Sequence, residues 1–162
     1  MSQVKLVWSM MRRLKPMAVR GFQRNPSARK IVLLLTTIGR KSGLRRVTPL
    51  QYERVGDTIF IAAARGVSAD WYRNLLADPQ VEVELPEGRF RGRAVPITDA
   101  CQVADFLELR LQRHPWMVRG MLIMHRIMRS PRRADLERLG QEVALVEVRE
   151  LERMHVAHAE AE

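Results

Sequence analysis

IVLLLTTIGRKSGLRRVTPLQYERVGDTIFIAAARGVSADWYRN, residues 31–74, decides the fold. It holds three apolar runs, 31–37, 47–52 and 58–64, each rich in β-formers and short enough for a strand. Gly39-Arg40-Lys41-Ser42-Gly43 separates the first two and reads as a turn with glycine at both ends. Val55-Gly56-Asp57 makes the second turn, and Arg65 to Asp70 forms a loop leading into Trp71-Tyr72-Arg73-Asn74. Cations gather at the first turn: Arg40, Lys41, Arg45 and Arg46, with Arg65 closing the third run. Glycine lets backbone N–H groups approach a ligand closely, and Arg and Lys add charge and donors, so this turn reads as an anion site. A merely solvated basic hairpin is the alternative.

Working outward, Asp70 is expected to cap a short helix over 71–77. Asp78-Pro79-Gln80 turns the chain. Val81, Val83 and Leu85 alternate with Glu82 and Glu84, as in a half-buried strand. Arg89, Arg91 and Arg93 alternate with Phe90, Gly92 and Ala94, which closes a hairpin and sets the glutamates against the arginines. Pro49 removes a ladder donor from the second run, which predicts an interruption or bulge there. Asp99 with Gln102 three residues on predicts a helix start, continuing to about His114. Pro115 opens a second, methionine-rich helix through Met128, read either as the roof of an apolar pocket or as barrel packing. Residues 134–139 add a further turn, and Val143 to Val148 a last strand. Residues 3–19 carry an apolar stripe (Val4, Val7, Trp8, Met11, Leu14, Ala18) beside Lys5, Arg12, Arg13 and Lys15. Such a helix either lies on an anionic membrane surface or packs on its own barrel or a partner subunit.

The expected class is therefore α+β: about six mainly antiparallel strands with flanking helices. One domain spans 30–150 with a helical insert over 99–139, preceded by the amphipathic helix and connector of 1–29 and followed by a polar tail, 151–162. With 162 residues the chain suits one domain. A net charge of +10 calls for an anionic partner. The lone Cys101 excludes an internal disulfide and a Cys-based metal cluster, and the four histidines show no ligand spacing. Charges interrupt the apolar residues near the start, so no signal peptide is expected. The longest apolar run, 31–35, is far short of a membrane span. These features predict a cytoplasmic protein, with peripheral membrane contact through residues 3–19 as one option.

Five pieces in order and spacing carry a resemblance: Leu35 to Gly43 (LTTIGRKSG), Arg46 to Leu50 (RVTPL), Ala62 to Gly66 (AAARG), Trp71 to Leu75 (WYRNL) and Asp78-Pro79. This region, roughly residues 30–98, resembles the deazaflavin-dependent nitroreductase family, whose members bind coenzyme F420 on a split β-barrel. The resemblance implies hydride transfer from the reduced deazaflavin, with the organic chemistry belonging to the cofactor. It implies that Arg40, Lys41, Ser42, Arg46 and Arg65 hold phosphate and tail carboxylates. Val47, Thr48, Pro49, Leu50 and Gln51, with Ala62, Ala63 and Ala64, would line the ring. Asp70, Trp71, Tyr72, Arg73 and Asn74 would close the far side, although Trp71 and Tyr72 also read as plain core aromatics.

The chain departs from the pattern in one respect. Nitroreducing members surround the acceptor with tyrosines in their C-terminal part, and here no tyrosine follows Tyr72. A flat, apolar, electron-poor acceptor such as a quinone is the expected class. Solvent, Tyr52, His114 and His125 remain as proton sources. Two other readings stand beside this one: the same barrel holding FMN, or a basic non-enzymatic module for nucleic acid or anionic lipid. Interleaved aromatics for base stacking are lacking, so nucleic acid is not the expected partner. By analogy a homodimer is expected.

Overall fold

The computed structural model describes residues 31–63, 66–116, 119 and 131–154. Expectations about the helix at 3–19, most of the helix at 115–128, His125, Ala64 and Arg65 fall outside the described residues. Six strands form a closed antiparallel barrel in the order β1-β2-β3-β6-β5-β4. They are β1 (Val32–Ile38), β2 (Arg45–Val55), β3 (Thr58–Ala63), β4 (Gln80–Leu85), β5 (Gly88–Ile97) and β6 (Ala144–Arg153). Among the described residues the helices with full bounds are α1 (Asp70–Ala77), α2 (Ala100–Arg113) and α3 (Arg133–Gly140).

Alternation along the strands builds two cores. Leu33 and Leu35 of β1, Ile59 and Ile61 of β3, Val81, Val83 and Leu85 of β4, and Val146 and Val148 of β6 point inward. Helix α1 adds Trp71, Tyr72 and Leu75 to that interior, all buried. At roughly 1.5–3 kcal/mol for each large apolar side chain, this cluster is the chief source of stability. The second core lies outside the barrel wall. Val103, Phe106 and Leu107 of α2 and Leu136 and Leu139 of α3 pack with Leu145, Phe60 and Ala62. Asp99 accepts from the Gln102 backbone N–H at 2.8 Å, as its spacing predicts, and starts α2. Arg133 then ties α3 to α2 through Asp105 at 2.6 Å and Glu108 at 3.2 Å.

Two expectations need correction. Pro49 neither interrupts nor bulges β2, because the register with β1 runs unbroken from Gln51 to Arg45 and sets Pro49 opposite Leu34. β3 pairs with β2 only over Tyr52–Val55. At Pro49 one edge of β2 has no β3 partner, and a residue without an N–H costs nothing there. Asp70 is not the cap of α1; Ala69 holds that position without a side-chain bond, and Asp70 is the first helical residue. The carboxylate of Asp70 turns to a cation instead, as described below.

The glutamate–arginine pairing across β4 and β5 is present. Glu84 meets Arg89 at 3.2 Å, and Glu82 lies between Arg91 and Arg45. Burial acts on two glycines. A Cβ on Gly66 (φ +54°) would stand 1.9 Å from the Glu142 carbonyl oxygen. One on Gly92 would stand 2.7 Å from the Arg149 carbonyl, at the irregularity in the β5–β6 register.

Candidate functional site

The β1–β2 turn is tightly closed. Gly39 N–H donates to the Leu44 carbonyl at 2.8 Å, and the Ser42 and Gly43 N–H groups return to the Gly39 carbonyl. Gly43 takes φ +65°, the left-handed conformation that glycine allows cheaply. Asn74 of α1 clamps the turn to the barrel. Its Oδ1 accepts from the Arg40 backbone N–H at 3.2 Å and the Arg40 guanidinium at 3.0 Å. Its Nδ2 donates to the buried Thr37 hydroxyl at 3.3 Å. The Arg40 guanidinium also reaches the Asp70 carboxylate at 3.3 Å and the Asp70 carbonyl at 3.4 Å. The sequence brings turn and helix together through these residues, so the 40–46 and 70–74 segments share one end of the barrel.

Carboxylate partners sort the cations. Arg40 is paired with Asp70, and Arg45 makes two bonds to Glu82, which holds the Glu82 carboxyl below its ordinary range. Lys41 is exposed and has no bond or ion pair among the described residues. Among the described residues Arg46 donates only to the Ser42 hydroxyl, at 3.3 Å, and Arg73 is held by the Val67 carbonyl at 3.2 Å. Arg40 is therefore a brace, and among the described residues of this end the cations without a carboxylate partner are Lys41 and Arg46, with Arg73 on the adjoining helix.

Side-chain direction sorts β2 as well. Pairing sets Thr48 opposite Leu35 and Leu50 opposite Leu33, so both face the barrel interior. Val47, Pro49, Gln51 and Glu53 face outward, with Val47 42% exposed. Any contact by Thr48 and Leu50 with a bound ring runs through their backbone alone. From Arg46 to Gln51 the strand spans about 17 Å, long enough for an extended coenzyme. Ala62 packs against the helices, and Ala63 pairs with Ala144. Trp71 and Tyr72 are buried in the barrel interior, as their reading as plain core aromatics expects. Two concavities among the described residues, about 140 and 310 Å³, lie on the outer face of β1, β2 and β4. Val47 and Leu34 line the smaller one. The cation turn itself is an open rim.

Of the proton sources, Tyr52 packs against the interior core, and burial, with Glu87 adding to it, raises its pKa. His114 ends α2 with Nε2 3.3 Å from Glu53 Oε2. Sequence reading missed the group around it. Buried Glu53 also receives Arg113 at 2.6 Å and faces Arg110 at 3.9 Å, while Arg110 donates to Gln51 Oε1 at 3.4 Å. An acid inside a strand and a cation on a distant helix carry no mutual signal; only the 3.6-residue spacing of Phe106 and Arg110, which places them on one helix face, hinted at it.

Barrel and braced turn define a split-barrel protein with a cation-bearing rim. The chain belongs to the F420H(2)-dependent quinone reductase family, which matches residues 4–121. It is 43% identical over 68 residues to an F420H(2)-dependent quinone reductase of Mycobacterium tuberculosis (strain H37Rv), covering 40% of this chain and 46% of that one. The chain thus spans about half the length of the curated relatives it matches. Among solved structures, an F420-H2 dependent reductase superposes with a TM-score of 0.51 at 19% identity, covering 74% of this chain and 95% of that one. HutZ, a heme storage protein from Vibrio cholerae, superposes at 0.50 and 17%, covering 78% and 89%. These likenesses confirm the fold. Among the described residues no helix is long and apolar enough to cross a membrane, and no group of residues could hold a metal ion.

Proposed function

We propose that the chain is an oxidoreductase that uses reduced coenzyme F420 to reduce a flat apolar acceptor of the quinone type. One observation carries the reading: a turn clamped by Arg40, Asp70 and Asn74 presents Lys41 and Arg46, without acidic partners among the described residues, at the end of the barrel where β2 begins. That donor set suits a ligand with a phosphodiester and a carboxylate tail. Family membership and the quinone reductase from M. tuberculosis support the choice of coenzyme and acceptor.

Lys41 and Arg46 hold the phosphate and tail, with Ser42 fixing the Arg46 guanidinium. Each charge-assisted bond contributes roughly 1.5–3 kcal/mol, less where water screens it. Val47 and Pro49 give the ring an apolar bed, and Gln51 marks its far end. Bound and reduced, the deazaflavin supplies a hydride. Reduction of a quinone to a hydroquinone takes up one hydride and one proton. His114 Nε2, held by Glu53 on the outward side of β2, supplies that proton and recovers it from solvent, since its side chain is 35% exposed. Tyr52 is excluded from this role by facing inward.

Fluorescence titration of the protein with oxidised F420, with FMN as control, tests the reading. Quenching with an affinity of about 1 μM or tighter is expected for F420 and not for FMN. Absence of F420 binding would end it, and preferential FMN binding would replace the coenzyme. Turnover of reduced F420 with a soluble quinone then tests the acceptor.

A further inference from the structure

The least expected feature of the molecule is a charged group buried between barrel and helix. Glu53 and Arg110 have side-chain exposures of only 7% and 8%. Burying such ions is costly unless they are paired and hydrogen-bonded. Here burial pulls the Arg110 pKa down while Glu53 opposes it. The Arg110 guanidinium lies 5.8 Å from the Phe106 ring centroid, and Phe106 in turn contacts Phe60 of β3 at 5.7 Å. From this seat it faces two outward residues of one strand, Glu53 at 3.9 Å and Gln51 at 3.4 Å. Residues two apart on a strand are separated by about 7 Å. A forked guanidinium can span that gap, and an ammonium cannot.

Gln51 is the exposed end of the outward row that begins at Val47, and Arg110 is the side chain of α2 that grips it. We propose that Arg110 is a positioning residue for the ring end of the coenzyme site: packed on Phe106 and facing Glu53, it holds Gln51 and so sets the backbone over which the deazaflavin lies. The inference rests on the F420 reading above. Arg110 touches no coenzyme itself; it acts through Gln51. Nothing in the spacing of the sequence assigns Arg110 or Glu53 this role.

The test compares three variants with the wild type, by thermal melting and by F420 titration. Arg110→Met with Glu53→Gln removes the buried pair together and leaves no stranded charge. Arg110→Lys keeps the charge against Glu53 but loses the fork. Arg113→Met is the control: Arg113 bonds the same Glu53 at 2.6 Å yet does not reach Gln51. The expected result is F420 binding weakened about tenfold in the double variant and by a smaller factor in Arg110→Lys. Arg113→Met binds as the wild type does. The emission spectrum of the bound coenzyme shifts in the Arg110 variants only, since a purely structural loss would leave the ring environment of the folded fraction unchanged. Wild-type affinity in a folded Arg110→Lys would overturn the inference, and so would equal weakening in Arg113→Met. If the wild type itself fails to bind F420, it is the functional reading that falls.

Discussion

Asn74→Ala strikes the joint between the turn and the barrel. Asn74 is 5% exposed and makes three bonds: to the Thr37 hydroxyl, the Arg40 N–H and the Arg40 guanidinium. The first two are neutral, each contributing about 0.5–1.5 kcal/mol net. The third is charge-assisted, but Arg40 is 25% exposed and keeps Asp70, so it counts at the lower end. Removal also leaves Thr37, 1% exposed, with an unpaired hydroxyl. Together the loss is about 2–4 kcal/mol, which for a chain of this size lowers the melting temperature by roughly 5–15 °C. Urea unfolding gives the stability directly, and the slope with denaturant stays unchanged because the exposed surface is the same. The turn that carries Lys41 is then tethered by Arg40 and Asp70 alone, so F420 affinity falls as well. Thr37→Val should cost the one neutral bond and the penalty of leaving the buried Asn74 Nδ2 unpaired, about 1–3 kcal/mol, and spare coenzyme binding. A loss below about 1 kcal/mol in Asn74→Ala, with coenzyme affinity intact, would refute the clamp.

Lys41→Ala with Arg46→Ala should weaken F420 binding at least a hundredfold, since two charged contacts of roughly 1.5 kcal/mol or more are lost; Arg45→Ala, whose partner is Glu82, should leave it unchanged in the same titration. Gly66→Ala should destabilise by about 3 kcal/mol or more, because its Cβ would overlap the Glu142 carbonyl at 1.9 Å and φ is +54°, and thermal melting reads it. Glu82 has a pKa below its ordinary 4.5, first through its bond to Arg45, against burial. A depressed carboxyl contributes stability that is complete above its unfolded value and is lost as pH falls through the folded one. Stability measured from pH 6 to pH 3 should therefore fall less steeply in Glu82→Gln than in the wild type.

Strands were legible wherever one face is buried. Val81, Val83 and Leu85 against Glu82 and Glu84 announce β4, and the Arg89–Arg91–Arg93 row announces β5 with its pairing. β2 is longer than its apolar run because Arg45, Arg46, Glu53 and Arg54 lie at its ends, where hydrophobicity gives no sign of a ladder. The β1–β2 turn was legible as well, through Gly39 and Gly43. Which cations are free was not, because that depends on Asp70 and Glu82, both distant in sequence, choosing Arg40 and Arg45. Trp71 and Tyr72 sit in a motif whose spacing suggests a ligand, yet the helix that carries them plugs the barrel. The motif preserves packing at those two positions and clamping at Asn74.

The stretch of β2 that outruns β3 also bears on how the protein behaves in a crowded solution. A strand edge with free donors and acceptors invites a strand from another molecule, and chains of such additions grow into fibres. At that edge Pro49 offers no donor, and Arg45 and Arg46 just before it bring charge that a second copy would have to approach. Exchanging the proline for valine would keep the register and add the donor that the proline withholds, which makes addition of a second strand easier.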